Sequence, residues 1–154
     1  MTTPAQCPFC FPAEERIAFE DRLTRALWDA FPVSEGHLLL VPRRHVPTWF
    51  DATAEERAAL TDAIDRGREL IASRHRPDGF NIGINVGKAA GQTVFHLHVH
   101  LIPRYAGDIP DPKGGIRLIV EITKNYYFDK QLNSITYEMV IGSVVDAGMK
   151  TGQV

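Results

Sequence analysis

Apolar and polar residues alternate at a period of two in two neighbouring stretches of the chain. In Phe80-Asn81-Ile82-Gly83-Ile84-Asn85-Val86-Gly87, the residues Phe80, Ile82, Ile84 and Val86 share one face, and Asn81, Gly83, Asn85 and Gly87 share the other. The stretch from Thr93 to Ile102 repeats the alternation, with Leu97, Val99 and Leu101 opposite His96, His98 and His100. Residues 88–91 turn the chain between them, so the pattern predicts an antiparallel hairpin whose apolar face enters a core. His37-Leu38-Leu39-Leu40-Val41 is an apolar run bounded by Gly36 and Pro42, which reads as a buried strand. The period changes to that of a helix after Thr53-Ala54-Glu55-Glu56, a capping-box pattern. Leu60, Ala63, Ile64, Gly67 and Ile71 then supply an inner stripe. Pro77-Asp78-Gly79 stops this helix, expected over about residues 53–75.

Residues 13–31 read two ways. Ala13, Glu14, Glu15 and Arg16 favour a helix locally, whereas Ile17 to Phe31 suits a hairpin equally well. Residues 107–115, rich in Gly, Pro and Asp, are expected to form an exposed loop, and Ile116 to Thr123 a further strand. Beyond Tyr126 helical and strand patterns overlap.

The chain of 154 residues suits a single domain able to bury a core. Its net charge of -2 gives no footprint for general nucleic-acid binding. No apolar run approaches the roughly 20 residues of a membrane span. The N-terminus lacks a signal-peptide pattern, so the expected location is the cytoplasm, where thiols stay reduced. There Cys7-Pro8-Phe9-Cys10 suggests metal or redox chemistry rather than a structural disulfide. No strand precedes the pair, which favours half of a zinc site over a thioredoxin-like role.

Three histidines on one face support a metal site or nucleophilic catalysis by an imidazole. The surroundings favour catalysis. Gly91-Gln92-Thr93 precedes the strand, where a glycine-bearing turn can aim N–H groups at an anion. Gln92 and Thr93 add side-chain donors, and Asn85 is expected to face the same pocket. Together they describe an oxyanion or phosphate cradle beside a histidine.

Residues 7–125 resemble the histidine triad, or HIT, family. The resemblance rests on Cys7-Pro8-Phe9-Cys10, on Gly36 to His45, on Asn81 to Gly87, on Gly91 to Phe95 leading into the three histidines, and on Gly114-Gly115-Ile116-Arg117. It implies an α+β fold in which a sheet of about five antiparallel strands packs on one long helix. Residues 17–31 then become a hairpin, and two protomers are expected to join their sheets in a homodimer. The HIT-like part would occupy residues 1–125 and a C-terminal extension residues 126–154.

The resemblance also implies roles. His98 would be the nucleophile that attacks the α-phosphate of a nucleotide and forms a nucleotidyl-histidine. His100, Asn85, Gln92 and Thr93 would bind the phosphate, and Asp29 the ribose hydroxyls. Cys7, Cys10, His45 and His96 would hold one structural zinc, with no organic cofactor. His37 and His75 receive no site role. Diadenosine polyphosphates are the expected substrates. Nucleoside phosphoramidates or aminoacyl adenylates, a nucleotide-binding module with slight catalysis, and a metallohydrolase are the alternatives. Ile119 to Tyr126 lacks the proline the family commonly carries after its Gly-Gly-Ile-Arg stretch, which bears on substrate choice.

Overall fold

The structure, a computed structural model, describes residues 4–113. Among these residues, five antiparallel strands, β1 (Ile17–Glu20), β2 (Thr24–Trp28), β3 (Leu38–Pro42), β4 (Gly79–Gly83) and β5 (Val99–Arg104), form one sheet in the order β1-β2-β3-β5-β4. One helix, α1 (Ala54–Arg74), crosses it. The expected strand over 116–123, the loop beyond residue 113 and the proposed boundary at 125 lie outside the described residues.

Residues 17–31 form the hairpin rather than the helix. Asp21 decides the turn: its carboxylate accepts from the N–H groups of Leu23 and Thr24 and from the Thr24 hydroxyl. These local bonds outcompete a helical turn in so short a segment.

Helix α1 begins as its sequence predicts. Thr53 Oγ1 accepts from the Glu56 N–H, and the Glu56 carboxylate accepts from the Thr53 N–H. Its buried Leu60, Ala63, Gly67 and Ile71 face β2, β3 and β5. Gly67 lets the helix approach closely: a Cβ there would stand 2.8 Å from Leu101 Cδ2. The opposite face of the sheet packs Leu27, Leu39 and Val41 against Cys7 and Phe9 of the N-terminal segment. The chain before β1 is thereby laid across the face that carries the histidines.

Both strands of the alternating hairpin are shorter than the pattern predicts. β4 ends at Gly83 because residues 87–92 close on themselves: the Gly87 N–H donates to Gln92 Oε1, and the Gln92 N–H to the Gly87 carbonyl. β5 begins only at Val99, since the Leu97 N–H donates to the Val46 carbonyl in the loop after β3. The expected single apolar face is also incomplete. Phe80 and Ile84 pack inward, but Ile82 remains 42% exposed on the edge strand, beyond the cover of the helix.

Candidate active site and metal centre

Alternation along residues 96–100 survives the late start of β5. Leu97, Val99 and Leu101 are buried in the core beneath the helix. The three imidazoles line the other face in a row, with Phe9 edge-on to both His96 and His98.

At the N-terminal end of the row, His96 meets Cys7, Cys10 and His45. One ligand atom from each of these four lies within 4.8 Å of the others. Cys7 Sγ is 3.3 Å from His96 Nδ1, and Cys10 Sγ is 3.2 Å from His45 Nδ1. His96 Nε2 lies 2.8 Å from the Pro42 carbonyl, which assigns the proton to Nε2 and leaves the Nδ1 lone pair toward the thiols. Burial pushes the His96 pKa down to about 4, so its ring is neutral at pH 7. Burial and the neighbouring Cys7 raise the Cys10 thiol to about 11. Two sulfurs and two imidazoles at this spacing fit tetrahedral zinc, and the donor set is closed. Binding there displaces thiol protons.

His45 is positioned by the helix start. Arg44 donates to both Glu56 carboxylate oxygens, at 2.8 and 2.7 Å. Glu56 therefore serves the capping box and ties down the loop that carries His45. This bidentate guanidinium holds the Glu56 carboxyl down at about 2.

His98, in the middle of the row, is 6% exposed. Its Nδ1 lies 2.8 Å from the His96 carbonyl oxygen, so Nδ1–H donates and Nε2 keeps its lone pair. Burial depresses its pKa, favouring the neutral ring. His100 is edge-on to His98, their ring centres 5.0 Å apart. Burial, with His98 and His37 beside it, pushes His100 down to about 3.

His37, which received no site role, joins this group. Its Nε2 is 3.0 Å from His100 Nδ1, and its Nδ1 is 3.2 Å from Asp29 Oδ2. The Val33 N–H also approaches His37 Nδ1, at 3.4 Å. The shorter contact to a carboxylate assigns the proton to Nδ1, giving a chain Asp29–His37–His100. Asp29 Oδ1 accepts from the Phe31 N–H. Period two along His37, Leu39 and Val41 was the available signal for His37. What it lacked was the pairing of β3 with β5, which sets Leu39 opposite His100.

The turn 91–93 is built differently from a set of free donors. Gln92 is buried, and its amide donates to the carbonyls of Pro47 and Val94. It braces the turn from inside. Thr93 is exposed, and Asn85 stands beside Gly91, its Nδ2 3.8 Å from where a Gly91 Cβ would be. Gly91 itself has φ 86°, a left-handed conformation that favours glycine.

A family model for the HIT domain matches residues 12–107. A protein of Mycobacterium tuberculosis named AP-4-A phosphorylase is 38% identical over 96 residues, which make up 62% of this chain and 49% of that protein. The chain thus spans about half the length of that relative. A bis(5'-adenosyl)-triphosphatase of Dictyostelium discoideum is 39% identical over 104 residues, covering 68% of this chain and 69% of the relative. Among solved structures, a zinc-bound histidine triad family protein of Mycobacterium smegmatis superposes with a TM-score of 0.62 at 35% identity, over 75% of this chain and 91% of that one.

Proposed function

The chain belongs to the HIT domain family, and from that premise we propose that it is a nucleotide hydrolase acting at an α-phosphate, with diadenosine polyphosphates as its substrate class. The names of the relatives from M. tuberculosis and D. discoideum support the substrate class. The observation that carries the reaction type is the state of His98. It is buried, neutral, and donates through Nδ1 to a backbone carbonyl, so that Nε2 alone presents a lone pair.

In this reading His98 Nε2 forms a bond to the α-phosphorus as the phosphorus–oxygen bond to the leaving nucleotide breaks. Water then attacks phosphorus, the nitrogen–phosphorus bond breaks, and a nucleoside monophosphate leaves with release of a proton. His100, held in place by His37 and Asp29, lines the phosphate site. Asn85, Thr93 and the N–H groups of the turn braced by Gln92 complete the anion cradle. The Asp29 carboxylate also accepts from ribose hydroxyls.

Cys7, Cys10, His45 and His96 would hold the zinc. When bound, it supplies a crosslink between the N-terminal segment and the catalytic strand, closed to substrate. One zinc per chain suits the four donors. We take residues 1–125 as the catalytic domain and residues 126–154 as a C-terminal extension. A second copy of the chain is the expected partner. Among the described residues β4 is an edge strand with exposed Ile82, and none of them lies within 4 Å of a Cβ at Gly79 or Gly83 to block strand addition. No helix among the described residues is long and apolar enough to cross a membrane. Two free thiols in one metal-capable cluster suit a reducing compartment, and the cytoplasm is the proposed location.

Steady-state kinetics on a panel of dinucleoside polyphosphates and nucleoside phosphoramidates, with metal content measured on the same sample, tests this reading. The expected result is turnover of the polyphosphates to a nucleoside monophosphate, lost in His98→Asn. Binding of AMP without turnover of any panel member would overturn it.

A further inference from the structure

Asp29, His37 and His100 do more than line the reactive face. One ligand atom from each lies within 4.8 Å of the others, and none of the three belongs to the thiol cluster. We propose that these three residues form a second, exchangeable site for a divalent transition cation of the zinc and cobalt class, whose occupancy shuts the site down.

The donor set is suited to the task. Two imidazoles and one carboxylate bind zinc, cobalt or iron(II), and three protein ligands leave a coordination position open. Such a site exchanges its ion more readily than the closed set of Cys7, Cys10, His45 and His96. Asp29 Oδ2 and His37 Nδ1 are 3.2 Å apart. That is close to the ~3.3 Å edge of a tetrahedron whose ligands stand about 2.0–2.1 Å from zinc. The Asp29 side chain, half-buried at the rim, offers the point of entry.

The geometry also forces a choice. His37 now contacts Asp29 through Nδ1 and His100 through Nε2. It can present only one nitrogen to an ion that all three residues share. Binding therefore breaks at least one link of the Asp29–His37–His100 chain and withdraws His100 from the phosphate. The loss of turnover rests on the proposed hydrolase reading, whereas the binding does not.

The test uses full-length protein loaded with one zinc per chain and freed of excess metal. Co²⁺ is then added, with both metals counted by equilibrium dialysis and histidine ring signals followed by NMR. The expected result is one further equivalent of Co²⁺ with zinc retained, broadening His37 and His100 before His75. Asp29→Ala and His37→Gln should each weaken that equivalent by about tenfold or more, since groups that merely orient a ligand already account for about 10–100-fold. No further equivalent, broadening confined to other histidines, or unchanged affinity in both variants would each overturn the proposal. If a variant fails to fold, the broadening pattern of the wild-type protein decides. Polyphosphate hydrolysis measured before and after the Co²⁺ addition separates the two claims: turnover that falls as the second equivalent binds is the expected result, turnover unchanged at full occupancy or without a second equivalent overturns the cation site, and no turnover even before Co²⁺ is added sinks only the hydrolase.

Discussion

The His98 ring nitrogen Nδ1 lies 2.8 Å from the backbone carbonyl oxygen of His96. One residue thereby serves two centres. The His96 side chain faces the thiols of Cys7 and Cys10, while its main chain holds the proton of the neighbouring imidazole and leaves His98 Nε2 free. The side chain that faces the thiols and the ring whose Nε2 is left unprotonated are two residues apart on one stretch of backbone.

Loss of the metal centre should therefore reach the active site. Cys10→Ser is expected to lower zinc content to a small fraction of the wild-type value and to reduce Tm by about 10 °C, on the scale of a few kcal/mol for a domain of this size. The nucleotide turnover of the variant should fall with it. Atomic absorption, calorimetry and kinetics on one preparation check this. Full stability with no zinc bound would show that packing of Phe9 and Leu27 alone holds the segment.

The ion pair at the helix start makes a prediction about acid. Glu56 is ordinarily protonated near 4.5 but is held down to about 2 by the bidentate Arg44 guanidinium. A carboxyl whose folded pKa lies below its unfolded value contributes stability above the unfolded value, lost as pH falls through the folded one. The difference between wild type and Glu56→Gln should be about 2 kcal/mol at pH 7, the scale of hydrogen bonds to a charged group. It should shrink between pH 4.5 and about 2. Urea unfolding across that range measures it. A difference that is constant with pH would contradict the assignment.

His37 has no solvent-facing role in the structure, and its contribution is expected to be to rate. Removing it in His37→Ala leaves His100 Nδ1 without its partner. We expect kcat to fall by about 100-fold, within the range for a proton-handling group, with KM for the nucleotide little changed. A purely structural role would instead lower Tm and leave kcat of the folded fraction intact.

Where helix and sheet meet, Gly67 leaves no room for a branched side chain. Gly67→Val drives methyl groups into buried Leu101 and Leu38, and should destabilise by about 2 kcal/mol as overpacking does. The gain in helix propensity over glycine, below about 1 kcal/mol, offsets only part of this. Chemical denaturation decides the sign.

These cases also mark how far the residues alone carry the fold. The capping box at Thr53 and Glu56 and the inner stripe of α1 were legible because a helix is fixed by contacts three and four residues apart. The meeting of Cys7, Cys10, His45 and His96 was legible through family resemblance, since Cys7 and His96 are 89 residues apart and come together only in the folded chain. The lengths of β4 and β5 were not legible. Gln92 and Val46 take the backbone groups that a longer ladder would have used, and nothing in a period-two pattern announces such competition. His37 escaped for a related reason. Its partner His100 is supplied by the non-local pairing of β3 with β5, so its own neighbours described only a buried polar residue. Gln92 was placed in the cradle by its position, but its burial turns its amide inward.

The central claim is that His98 Nε2 bonds to phosphorus. Rapid quenching of a single turnover of diadenosine tetraphosphate, followed by peptide mass spectrometry, measures this directly. An adenylyl group on the peptide containing His98, rising and decaying at rates compatible with turnover and absent in His98→Asn, is the predicted result. Turnover at an undiminished rate in His98→Asn, with no adduct on the wild-type protein at any time, would contradict it.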